Sequence, residues 1–97
     1  MHKQYSMHTI AAIATAYGES GIGIVRISGE QALRILVKIF RTSNGVSLGK
    51  ADFEPRCMRY GKIIDPASGS TLDEVMCVYM KGPHSYTAED VVEIQCH

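Results

Sequence analysis

No charge of either sign predominates in this chain. Ten lysines and arginines balance ten aspartates and glutamates over 97 residues, so the formal net charge is zero. That balance argues against a free-standing nucleic-acid binder, which normally carries a basic patch. It argues equally against a polybasic membrane anchor. No apolar run approaches the roughly 20 residues needed to span a bilayer. Met1 to Ser6 is polar and lacks an apolar h-region, so nothing reads as a secretory signal. Cysteine is scarce as well. Cys57, Cys77 and Cys96 lie far apart and form no C-x-x-C pair, and an odd number is a poor disulfide framework. Each sits in an apolar alternating segment and reads as a reduced, packed small hydrophobe of a cytoplasmic protein.

Catalytic motifs are missing too. The loop Gly18-Glu19-Ser20-Gly21-Ile22-Gly23 invites a phosphate-binding reading, but no Lys or Arg lies between Ala16 and Val25. A P-loop needs G-x-x-x-x-G-K-S/T, whose lysine reaches the phosphates. A dinucleotide fingerprint needs a helix opening at the glycines, and here a strand follows. There is no H-E-x-x-H. The histidines, His2, His8, His84 and His97, are scattered without the three or four converging groups that metal ligation requires. The neighbours Glu89 and Asp90 read more simply as capping residues than as a catalytic pair.

What is present describes one domain with a single modest core. Met1 to Met7 reads as a frayed tail. Thr9 to Thr15 is a short Ile/Ala-rich run and reads as a buried strand. Ala16 to Gly21 is a loop, and Ile22 to Ser28 a β-branched strand. The short gap between the two suits an antiparallel hairpin. Ser28 with Gln31 has capping-box spacing and opens a helix. Ala32, Leu33, Leu36, Val37 and Phe40 form its core stripe, and Ile35 and Ile39 widen the apolar face. Lys38 and Arg41 suit its C-terminal dipole, and Thr42 to Gly45 ends it. Val46 to Pro55 is an irregular connection. Arg56 to Ile64 and Leu72 to Lys81 form a hairpin about the turn Asp65 to Ser70. The second of these strands is apolar on both faces and belongs at the sheet centre. Gly82-Pro83 starts a turn, and Thr87 to Asp90 fits a second capping box. Val91 to His97 closes the chain as an alternating strand. The expected class is α+β: a small mixed β-sheet of about four to five strands with one main helix packed on it.

Two residues interrupt their surroundings. Arg26 breaks one apolar strand and Glu93 another. A charge placed mid-strand is costly unless solvated or paired. One reading is a salt bridge between them. The other is that they face a ligand. A carboxylate can accept two parallel hydrogen bonds from an amidine-like edge such as the aminopyrimidine of a pterin. An arginine can hold a carboxylate or carbonyl of the same ligand. Residue chemistry alone leaves both readings open.

The segment Gly82-Pro83-His84-Ser85-Tyr86-Thr87-Ala88-Glu89-Asp90-Val91-Val92-Glu93-Ile94-Gln95-Cys96-His97 resembles the end of the N-terminal domain of the MnmE (TrmE) family of tRNA-modification GTPases. His8 to Thr15 followed by Gly21-Ile22-Gly23-Ile24-Val25-Arg26-Ile27-Ser28-Gly29 is similar to that family's opening. The resemblance runs from His8 onward, apart from Gly45 to Glu54. It implies a fold like that of folate-dependent one-carbon enzymes. It implies binding of 5-formyl-tetrahydrofolate or a related reduced folate, with Arg26 and Glu93 as ligand contacts and a third, basic contact past His97. It implies a homodimer, and in the whole protein a flavoprotein partner (MnmG) and tRNA, whose wobble uridine is modified at C5. GTP, magnesium and potassium would belong to a G domain that this chain lacks. On this resemblance residues 1–97 are a truncated folate-binding and dimerisation domain. Two departures stand out. The family's T-P-P-G-x-G-G reads Thr15-Ala16-Tyr17-Gly18-Glu19-Ser20-Gly21 here, which loosens the loop. Ala88 replaces a family glycine.

Overall fold

The computed structural model describes residues 9–15, 23–82 and 89–96. Strand β1 is Ile10–Thr15 and β2 is Gly23–Ser28, paired antiparallel with Ile10 opposite Ser28 and Ala12 opposite Arg26. Helix α1, Ala32–Ile39, follows and leads directly into the two-residue strand β3, Phe40–Arg41. A single 3-10 turn, Lys50–Asp52, interrupts the long connection to β4, Arg59–Ile64. β5, Thr71–Met80, and β6, Val91–Cys96, complete the sheet. The strand order is β1-β2-β6-β5-β4-β3, and every neighbouring pair is antiparallel.

The path explains the order. β1 and β2 form one edge, and α1 carries the chain across one face of the sheet to the far edge. There β3, β4 and β5 run back as a meander. β6 then fills the gap between β5 and β2. The α+β class expected from sequence holds, with two corrections. Among the described residues the sheet has six strands rather than four or five, and it is antiparallel rather than mixed. The extra strand comes from Phe40 and Arg41, which were expected to extend the helix. Phe40 instead turns extended, at φ −98° and ψ 138°, and pairs with Ile63.

The helix start also departs from expectation. Ser28 stays in β2 and does not cap. Gln31 holds the cap position without a side-chain bond of its own. Its backbone N–H instead donates to Thr9 Oγ1 at 3.0 Å, so the strand β1 side supplies the cap. At the other end Arg41 serves the helix as expected, though from a strand. Its Nη1 donates to the carbonyls of Phe40 (2.8 Å), Lys38 (3.3 Å) and Val37 (3.4 Å), groups that a helix C-terminus leaves unpaired.

The core lies between α1 and one face of the sheet. Ala32, Leu36, Phe40, Val75, Cys77, Tyr79, Val92, Ile94 and Ile27 are its buried members. Leu33 and Val37 only flank it. Phe53, from the stretch expected to be a polar connection, is a full member. Its ring meets Phe40 edge-to-face at 5.6 Å and 74°. β4 begins at Arg59 rather than Arg56, because Arg56 adopts φ 64°, a left-handed conformation that no strand accommodates. Its N–H nevertheless anchors the turn, donating to the Tyr79 carbonyl at 2.7 Å.

β5 sits inside the sheet, as its apolar pattern required. Its two faces are not equally covered, however. Val75, Cys77 and Tyr79 are buried, whereas Met76 is 38 % exposed. The cysteines are likewise unequal. All are free thiols, Cys77 buried and Cys96 half-buried, but Cys57 is exposed and not packed as expected. The expectations for Met1 to Met7, Ala16 to Gly21, Pro83 to Ala88 and His97 fall outside the described residues, including the two departures from the family pattern. Asp90, just after that stretch, ties the sheet together. Its Oδ1 accepts the Gly82 N–H at 3.0 Å, and its carbonyl accepts the Gly29 N–H at 2.8 Å.

Candidate functional site

Strand alternation decides which side each residue faces. In β2, Ile27 is buried in the core, so Arg26 points to the opposite face. In β6, Val92 and Ile94 are buried in the core, so Glu93 does the same. The antiparallel register sets Arg26 directly opposite Glu93. Two strands far apart in sequence thus meet at their only charged positions, each midway along its strand.

The contact is a close ion pair. Arg26 Nη2 donates to Glu93 Oε2 at 2.6 Å, and Nε donates to the same oxygen at 3.1 Å. Both donors therefore converge on one carboxylate oxygen. Among the described residues, Oε1 accepts no hydrogen bond. The side chains are half-buried, 31 % exposed for Arg26 and 18 % for Glu93. Water reaches the pair, but less freely than on an open surface, so its Coulomb attraction is only partly screened.

Around the pair runs a band of neighbours on the same face. Ala12, Arg26, Glu93 and Val78 lie in one row across four strands. Ile24, Gln95, Met76 and Tyr60 form the next row. At the far end Tyr60 donates its hydroxyl to Glu74 at 2.7 Å, and that bond and charge push the phenol above its ordinary pKa. The result is a polar pair, acidic on one oxygen, set in a largely apolar strip. Such a strip suits a flat ligand with a hydrogen-bonding edge.

Both site residues singled out in the sequence are thus brought together. Of the two readings, the salt bridge between them is observed, and the pair lies on the face opposite the helix-covered core. Gln95 and Met76, which flank it, carried no signal in the sequence beyond their place in alternating strands. Among the described residues, no group of three or more His, Cys, Asp or Glu could hold a metal ion. Among the same residues, no helix is long and apolar enough to cross a membrane.

Among the described residues, a six-stranded antiparallel sheet with one covering helix and an Arg–Glu pair on its other face defines a small α+β domain with a candidate binding surface. The family described as GTP-binding protein TrmE N-terminus matches residues 9–97, and the chain belongs to that family. It is 60 % identical over 89 residues to the tRNA modification GTPase MnmE of Alkaliphilus metalliredigens (strain QYMF), covering 92 % of this chain and 19 % of that protein. It is 54 % identical over 93 residues to the MnmE of Alkaliphilus oremlandii (strain OhILAs), covering 96 % and 20 %. It is 54 % identical over 89 residues to that of Clostridioides difficile (strain 630), covering 92 % and 18 %. The chain thus spans about a fifth of the length of these curated relatives.

Proposed function

We propose that this chain binds a reduced folate and mediates homodimerisation as the N-terminal domain of a tRNA-modification GTPase. The ligand is 5-formyl-tetrahydrofolate or a related one-carbon donor. The observation that carries this reading is the outward-facing Arg26–Glu93 pair with an uncommitted carboxylate oxygen. Glu93 offers Oε1 to the amino and ring N–H groups of the aminopyrimidine edge. Arg26 holds the carboxylate in orientation from the other side. The apolar strip of Ile24, Val78 and Met76 receives the flat ring system.

In the whole protein this domain would bring the one-carbon unit to the modification of C5 of the wobble uridine, in the cytoplasm. An MnmG-type flavoprotein and tRNA would be its partners, and GTP hydrolysis would proceed in a separate G domain. A second reading has its own support. Because Arg26 and Glu93 already pair with each other, the alternative is a purely structural dimerisation module without ligand binding.

Calorimetric titration with 5-formyl-tetrahydrofolate separates the two. Saturable binding to this chain, lost in Arg26→Ala and in Glu93→Ala while sedimentation still reports a dimer, is the expected result. A dimer that binds no folate even when the chain is extended past His97 would leave the structural module.

A further inference from the structure

Arg59 is an anomaly on the other side of the sheet. It pairs across the ladder with the buried Cys77, so its side chain starts out toward the helix-bearing face. Its Nε is buried and no protein oxygen accepts from it. Among the described residues its guanidinium makes no hydrogen bond and no ion pair. A buried, unmatched donor on a charged group is costly, and such groups are uncommon in native structures. Its guanidinium carbon stands 5.9 Å from the centre of the Phe53 ring.

This group borders a cavity of about 140 Å³, lined by Asp52, Phe53, Glu54, Cys57, Met58 and Arg59. The two acids there do not neutralise the arginine. Asp52 is committed to the turn, where its Oδ2 accepts the Gly49 N–H at 2.8 Å. Glu54 is exposed and forms no ion pair with Arg59. The cavity therefore combines an unmatched planar cation, a flat apolar wall and negative charge at its border.

We propose that this cavity is a carboxylate-binding site, in which Arg59 presents its planar fork to a monoanion lying along the Phe53 ring. A guanidinium fork matches the two oxygens of a carboxylate in geometry as well as charge. The ring gives an apolar surface to whatever carries the acid. Asp52 and Glu54 select against doubly charged phosphate, which they repel more strongly than a single charge. The carboxylate has two possible carriers: a free organic acid or an acidic side chain of another polypeptide. The site lies on the opposite face from Arg26 and Glu93 and does not depend on the folate reading.

The test follows the Arg59 Nε–H and Phe53 ring resonances of the 97-residue chain by NMR. The probes are sodium acetate, sodium benzoate, inorganic phosphate and the blocked amino acid N-acetyl-glutamate amide. Sodium chloride at matched ionic strength and acetamide serve as controls. Acetate should produce a saturable shift with a midpoint on the order of 10 mM, and benzoate should bind several-fold more tightly through the ring. Arg59→Lys should weaken acetate roughly tenfold, since a point charge replaces the fork. Arg59→Gln should abolish the response. Tighter binding of the blocked glutamate than of benzoate assigns the site to a polypeptide, and the reverse order to a free acid. An Nε–H that responds equally to acetamide or chloride, that does not respond at all, or that prefers phosphate, overturns the proposal. The wild-type comparison of acetate with acetamide decides this even if Arg59→Gln fails to fold.

Discussion

Gly61 is the residue at which the smallest added group would do the most harm. A Cβ there would run into the Arg41 carbonyl and the Phe40 ring, whose Cε1 would lie 2.9 Å away. Phe40 is fully buried and packed edge-on to Phe53, so its ring has little room to retreat. Gly61→Ala should therefore lower stability by about 1–3 kcal/mol, the usual range for overpacking. Urea unfolding would register this as a lower midpoint at unchanged slope. The sequence shows Gly61 only as a small residue in an alternating strand. Its necessity comes from Phe40, which arrives from the opposite edge of the chain's path and was assigned to a helix. By contrast Arg26 and Glu93 were legible, because a charge that interrupts an apolar strand demands a partner or a ligand. What could not be read was that each is the other's partner, since register between distant strands has no local signature.

At the scale of elements, hydrophobic periodicity located every long strand and the helix, and failed at their ends. The helix was expected to run on through Phe40 because Phe40 continues its apolar stripe. Tertiary pairing with Ile63 wins over that pattern and makes β3. The start failed for a related reason. Ser28 and Gln31 have capping spacing, but the ladder with β6 holds Ser28 in β2, opposite Val91. The helix takes its cap from Thr9 instead, through the bond from the Gln31 N–H. Thr9→Val keeps the side-chain shape and removes the acceptor. It should cost about 0.5–1 kcal/mol, the low end for one net hydrogen bond because this one is exposed, and speed amide exchange at the start of α1. Ser28→Ala should leave those amides unchanged. The opposite pattern, with Ser28 sensitive and Thr9 neutral, would restore the local capping box and refute the cap across elements.

At the scale of the whole molecule, the core packed between α1 and the sheet carries much of the cooperative stability among the described residues. Cys77 lies at its centre, on an interior strand, so exposing it requires unfolding the sheet rather than fraying an edge. Burial pushes its thiol from 9.0 up to about 12, an effect that the nearby charge of Arg59 only partly opposes. The folded chain therefore holds that proton where the unfolded chain gives it up. Below about pH 9 both states are protonated and the contribution is fully present. Between about 9 and about 12 it is lost, at up to about 1.4 kcal/mol per pH unit. Burial raises Cys96 and Tyr79 in the same direction, and Tyr60 rises through its bond to Glu74, so the total alkaline slope is not due to Cys77 alone. The difference between two proteins isolates it. Cys77→Ala should be less stable at pH 7 because a buried sulfur is deleted, and its stability should fall more gently from pH 9 upward, since the other groups remain in both. Urea midpoints measured under reducing conditions across that range would reveal the two curves converging. Parallel curves would mean that Cys77 ionises alike in the folded and unfolded chain, and the closed core drawn around it would have to be opened to water.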